Sequence, residues 1–228
     1  MQLDRDLSVT VEIAHECGEI LLSYFGSDRI NVRDKGHRDI VTAADVASEE
    51  HVVSRIRESF PEDGLKGEEG AGFTGTSGRT WYCDPLDGTL NYAHGIPVWS
   101  VSLSLFEGDV PILGVVYDPI RHETFEAASG LGARLNGTSI SAGAVTRADK
   151  ALVHITVDFH EQSLKSGLED LGKIAPASLR TRNLGSAALA LAYVGCCRFD
   201  AMLHRFAHCA SSASALAPAS SAIRVKLA

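Results

Sequence analysis

The sequence predicts a mixed α/β fold, and three observations carry that prediction. Near the start of the chain apolar residues recur at three- and four-residue spacing, as one face of a helix requires. From Trp99 to Phe106 they alternate with serines instead, which is the period of a strand. Turn signals such as Asp118-Pro119 and Asn136-Gly137 then space the middle of the chain as an antiparallel meander. Periodicity alone takes the fold no further than mixed α and β.

A chain of 228 residues, 45% of them hydrophobic, is long enough for one large domain with a packed core. Its 21 basic and 29 acidic residues leave a net charge of −8, which disfavours non-specific binding to nucleic acid or anionic membranes. An anionic substrate would then need local cations. Five cysteines without a CxxC pair make neither a disulfide framework nor a zinc ribbon and suit a reducing cytoplasm. No apolar run reaches the roughly 18 residues of a membrane span. Met1 to Asp6 also lacks the charge order of a signal peptide, so a soluble, cytoplasmic protein is expected.

In chain order, Val9, Ile13, Cys17, Ile20, Leu21 and Tyr24 predict a first helix ended near Gly26. Ile30 to Arg33 reads as a short strand, and Lys35 to Thr42 as a polar turn into a second helix. Val46, Val53, Ile56 and Phe60 supply that helix's expected buried face. Thr42-x-x-Asp45 matches a capping box, which by itself accounts for Asp45. Gly67-Glu68-Glu69-Gly70 is a loop, and adjacent glutamates on a loop are ordinarily solvated charge. The following Gly70 to Gly75 formally satisfies GxGxxG. No helix-forming segment follows it, so a dinucleotide site is rejected in favour of a flap.

The most informative stretch is Trp81 to Tyr92. A β-forming run ends at Asp84-Pro85, where proline is expected to stop the strand. Asp84 and Asp87 follow at i and i+3, and on an irregular turn they can converge with a main-chain carbonyl such as that of Leu86. Hard oxygens of this kind are what Mg²⁺ takes. Gly88 and Thr89 then stand where a helix would begin and offer free N–H groups to a phosphate. Taken as a bare pair of acids, the same residues make a common turn.

Past the meander, whose residues receive no chemical role, Ala151 to Val157 reads as a strand, Glu161 to Leu171 as a helix and Leu179 to Asn183 as a strand. Gly185-Ser186-Ala187-Ala188 opens a helix towards Gly195, and Arg198 to Ala201 is a strand. Gly185 alone reads as a packing or capping glycine.

The string from Asp84 to Tyr92 resembles the DPxDGTxNF signature of the inositol monophosphatase family of Mg²⁺-dependent phosphatases, with Tyr92 in place of phenylalanine. Lys35 to Asp45 is similar to its KGxxDxVTxAD signature, and Gly67 to Glu69 to its GEE motif. The resemblance runs from Val9 to His208 and implies a layered sandwich of helices and sheets. It implies a single domain, with 1–140 as the metal-binding half, 141–208 as a second α/β half and 209–228 as an atypical tail. By the same likeness Glu68, Asp84, the Leu86 carbonyl and Asp87 hold Mg²⁺. Catalysis falls to Asp45, Thr89 and Glu68, with Thr89 paired to Asp45 near the attacking water. The backbone of Gly88, Thr89, Gly185 and Ser186 meets the substrate. The implied reaction is hydrolysis of a small phosphorylated metabolite, inositol monophosphate first. Histidinol phosphate, fructose 1,6-bisphosphate and phosphoadenosine phosphate stand behind it, and a homodimer is implied.

The resemblance fails towards the end. Where relatives carry WDxAAG, whose aspartate serves a second metal, this chain has Ala210 and Ser211, and the twenty residues from Cys209 to Ala228 hold seven Ala, five Ser and no acid. His204 stands where many relatives place a glutamate that touches the sugar. His204-x-x-x-His208-Cys209 has the spacing of a soft-metal site, and a diverged or frame-altered tail is the other reading. The expectation is a phosphatase with high metal demand, or a catalytically impaired member that binds metal, phosphate or a partner.

Overall fold

The first apolar stripe packs as its spacing requires. In the computed structural model, which describes residues 2–27, 33–36, 39–157 and 161–204, Gln2–Tyr24 forms helix α1 and buries Leu7, Ile13, Cys17 and Leu21. Arg33–Gly36 (β1) and Asp39–Val41 (β2) pair antiparallel, so part of the expected polar turn is a hairpin in which the backbone groups satisfy one another. Ile30, where a strand was expected to start, lies outside the described residues.

Helix α2 spans Ala43–Ser59 and corrects the expected face: Val46 is 44% exposed, whereas Ala44, Asp45, Ser48, Glu49, Val52 and Ile56 are buried. Its first turns point Asp45 and Glu49 inward, where both find hydrogen-bond partners. The later turns join the apolar core.

Gly64–Gly67 (β3), Gly72–Phe73 (β4) and Arg79–Asp87 (β5) follow, then the short helix α3, Thr89–Ala93. Ser100–Glu107 (β6), Val110–Asp118 (β7), Glu123–Ala128 (β8), Gly132–Leu135 (β9) and Thr138–Ile140 (β10) complete the meander. The eight strands form one sheet in the order β10-β9-β8-β7-β6-β5-β3-β4, with only β3 and β5 parallel. The expected flap is thus a hairpin, since β4 continues the sheet. Pro85 does not end β5 either. It sits in a bulge between Asp84 and Asp87, where neither neighbouring strand pairs with it and its missing N–H costs no ladder bond.

The second half contributes Leu152–Ile155 (β11), Glu161–Ala177 (α4), Arg180–Arg182 (β12), Ala187–Gly195 (α5) and Ala201–Leu203 (β13). α4 outruns its expected end at Leu171, because Pro176 removes a donor only in the final turn. The strand expected from Arg198 begins at Ala201. β12, β11 and β13 form a parallel sheet.

Five layers result. Val101, Leu103 and Leu105 pack with Ile13, Leu21, Val52 and Ile56 of α1 and α2. On the opposite face Val116, Phe125 and Ala127 meet Ala188, Leu189 and Ala192 of α5. α5 turns Ala190 and Val194 to Leu152 and Met202 of the second sheet. The far side of that sheet, Val153 and Ala201, meets Ile174 of α4. A helix apolar all round belongs in such a central layer. The alternation in β6 therefore does not mark a solvent face: Ser100, Ser102 and Ser104 are fully buried on the α5 side. The tail, including His208, Ala210 and Ser211, lies outside the described residues. Among those described, no helix is long and apolar enough to cross a membrane.

Candidate active site

The bulge in β5 shapes the floor. Because Pro85 and Leu86 leave the ladder, the Asp84 carboxylate is buried, accepts the Leu86 N–H at 3.1 Å, and lies within hydrogen-bonding reach of Glu68. Burial, followed by the charges of Glu68 and Asp87, holds Asp84 well above the usual carboxylate range. Glu68 is exposed and follows directly on β3, its N–H donating to the Cys83 carbonyl at 3.1 Å. It forms a rim above a buried floor.

α2 brings the next acid. Thr42 caps the helix, accepting from the N–H groups of Ala44 and Asp45, while Asp45 accepts the Thr42 N–H at 2.9 Å and its hydroxyl. That is the expected capping box, and it uses Oδ2. Oδ1 is left facing Thr89, whose hydroxyl lies 3.3 Å from it and 3.0 Å from the Leu86 carbonyl. Capping and pairing with Thr89 coexist on one carboxylate. Burial raises the Asp45 pKa, against the lowering effect of the Thr42 bonds.

Asp87 has other company. Its Oδ1 accepts the Ala187 N–H at 3.1 Å, and Oδ2 accepts the Ala188 N–H at 2.8 Å together with the Ser186 hydroxyl. The Ser100 hydroxyl lies 3.4 Å away. Helix α5 thus aims its first free N–H groups at Asp87, a favourable match of anion and helix dipole. Burial still raises the Asp87 pKa, with those donors opposing it. Ser186 caps α5 and spends its hydroxyl on Asp87.

Gly88 and Gly185 let the two halves meet here. Gly88 has φ 98°, and a Cβ there would lie 3.1 Å from the Val98 carbonyl oxygen and 3.2 Å from that of Gly185. Asn91 locks the approach, donating to the carbonyls of Val98 at 2.8 Å and Leu184 at 2.7 Å. Gly185 is exposed, so its backbone lies open at the rim.

The expected residues therefore divide. Glu68, Asp84, Leu86, Thr89 and Asp45 form one contiguous cluster, and Gly88 and Gly185 border it, whereas Asp87 faces the α5 terminus. Among the described residues no three His, Cys, Asp or Glu side chains form a ready-made metal group. The donor set nevertheless fits a hard divalent cation. Mg²⁺ typically takes one or two carboxylates and leaves its other positions to water and phosphate. Glu68, Asp84 and the Leu86 carbonyl match that need, and a cation would relieve the crowding of acids that burial makes costly. Cysteine chemistry has no place here: burial pushes the Cys17 thiol up to about 12, and Cys83 also upward. Asn91, Ser100 and Glu49 are the participants the sequence reading passed over. Glu49 had one available signal, its position one turn beyond Asp45 on the same helix face.

Fold and site together define a layered α/β protein with a cluster of buried acids where its two halves meet. A model described as the inositol monophosphatase family matches residues 2–212. Inositol monophosphatase 1 of Solanum lycopersicum is 35% identical over 204 residues, spanning 87% of this chain and 74% of that protein. Nus factor SuhB of Pseudomonas aeruginosa is 34% identical over 204 residues, spanning 86% and 74%. The solved inositol monophosphatase from Anabaena has a TM-score of 0.84 at 30% identity, covering 96% of this chain and 83% of its own. The chain belongs to the inositol monophosphatase family, a family of phosphatases.

Proposed function

We propose that this protein hydrolyses a small phosphate monoester, inositol monophosphate foremost, in a Mg²⁺-dependent reaction. The observation that carries the reading is the Glu68–Asp84 carboxylate pair set beside the Thr89–Asp45 pair. Glu68, Asp84 and the Leu86 carbonyl would hold Mg²⁺, with Asp87 close behind. Bound there, the ion supplies Lewis acidity that makes water a better nucleophile and offsets phosphoryl charge. Thr89 would orient the attacking water through its hydroxyl, which donates to Asp45 Oδ1, and Asp45 would take up the proton that the water releases by way of that hydroxyl. The N–H groups of Gly88 and Thr89 donate to phosphoryl oxygens, and the exposed backbone at Gly185 borders the alcohol. On family grounds it works as a cytoplasmic homodimer.

Ser211 stands in place of an aspartate that serves a second metal in relatives, so Mg²⁺ demand should be raised by at least about 10–100-fold, the usual cost even of an outer carboxylate. The same substitution favours a second reading, in which the chain is catalytically impaired and binds a partner.

The test is phosphate release from inositol monophosphate, histidinol phosphate, fructose 1,6-bisphosphate and phosphoadenosine phosphate, with and without Mg²⁺. Mg²⁺-dependent release from one of them supports the enzyme and names its substrate. Silence across the panel from folded protein, unrelieved by Ser211→Asp, would favour the partner-binding reading.

A further inference from the structure

Glu49 is a charged residue on the inner face of a helix, 4% exposed. Its carboxylate accepts backbone donors from the turn that carries Glu68: Oε1 takes the Glu69 N–H at 2.9 Å, and Oε2 lies 3.3 Å from the Ala71 nitrogen. Two amides of one turn thus share one carboxylate, a charge-assisted arrangement of the stronger kind. The turn is closed independently by the Gly67 N–H donating to the Ala71 carbonyl at 2.7 Å.

Gly67 is shaped to admit this clamp. A Cβ at that position would stand 2.0 Å from Glu49 Oε1 and 2.7 Å from its Cδ, so no other residue leaves the carboxylate where it is. Glu68 is consequently held from both sides. Its own N–H is fixed to the Cys83 carbonyl of β5, next to Asp84, and the N–H of the following residue is fixed to Glu49 of α2. The second tether thus fixes the backbone from which the Glu68 side chain reaches Asp84.

We propose that Glu49 is a positioning residue: it clamps the 67–71 turn onto α2 and thereby holds the Glu68 carboxylate against Asp84. The same helix, one turn apart, then supplies the partner of Thr89 and the clamp of Glu68. The proposal rests on reading Glu68 as a cation ligand.

Two measurements on the whole protein test it, amide hydrogen exchange without metal and Mg²⁺ binding by calorimetry. In Glu49→Ala the Glu69 and Ala71 amides should exchange at least about 10-fold faster while β6 amides keep their protection. The Mg²⁺ dissociation constant should rise by about 10–100-fold. Glu49→Gln keeps one acceptor oxygen and should fall between Glu49→Ala and the parent in both readouts. Unchanged exchange at those amides, or altered exchange with Mg²⁺ affinity held, overturns the proposal. Should Glu49→Ala not fold, a Glu49→Gln variant indistinguishable from the parent overturns it equally. A parent protein that binds no Mg²⁺ overturns it together with the ligand reading of Glu68. Mg²⁺ binding without phosphate release from any monoester contradicts the proposed reaction alone and leaves the clamp standing.

Discussion

At one end of the eight-stranded sheet the buried acids Asp6 and Asp63 are met by the cation of Arg79, whereas in the three-stranded sheet the buried His154 is kept neutral. Arg79 donates to Asp6 at 2.8 Å and to Asp63 at 2.6 Å, and Asp63 also accepts from Trp81 Nε1 at 3.0 Å and the Ser77 hydroxyl at 2.8 Å. Behind α5, His154 is fully buried and accepts the Leu184 N–H on Nε2 at 3.1 Å, so the neutral ring carries its proton on Nδ1. Burial, then the neighbouring His204, pushes it down to about 4. The larger sheet can thus anchor a floor of acids. The smaller one supplies the α5 terminus and the Leu184–Ser186 turn, and it depends on a proton being absent.

The largest expected effect falls on the first region. Arg79→Met would leave Asp6 and Asp63 buried without their cation, and a loss of about 3–5 kcal/mol is expected from denaturant unfolding. A loss under about 1 kcal/mol would mean that the paired charges do not distinguish the sheets.

A smaller effect separates the two regions by pH. Burial raises the Asp63 pKa, but the bonds from Arg79, Ser77 and Trp81 outweigh it, and the group sits below its ordinary value. Its contribution is present above the unfolded carboxylate pKa and is lost as pH falls through the lower folded one, so it stays intact at pH 5. His154 behaves differently. The unfolded ring takes up a proton near pH 6.5 while the folded ring resists it to about 4, so stability is lost as pH falls between those values. The expected loss is up to about 3 kcal/mol, by the free energy of one pKa unit. Unfolding midpoints at pH 7 and 5 should therefore diverge in the parent and draw together in His154→Asn. Equal divergence in both would remove His154 from the account.

Much of this was legible in the sequence, for identifiable reasons. The α1 stripe and the meander with its Asn136-Gly137 turn are local patterns, and local patterns survive in the fold. The cluster residues were legible through a string whose residue types and spacing resemble a known family. What stayed hidden depends on distant partners. Glu49 carries no local signal of the 67–71 turn that lands on it, and the β6 serines carry none of the α5 helix that covers them. Asp87 reads as a ligand, and nothing local shows that residues a hundred positions away also offer it their N–H groups. Pro85 reads as a stop because pattern reasoning has no view of a bulge with neighbouring strands on both sides.

The claim at the centre is that Glu68, Asp84 and the Leu86 carbonyl hold one divalent cation. Calorimetric titration of Mg²⁺ into the parent protein and into Asp84→Asn tests it without any substrate. Saturable binding in the parent, weakened at least about 100-fold in a folded Asp84→Asn, is the predicted result. Equal binding by both proteins would contradict the account and move the cation elsewhere.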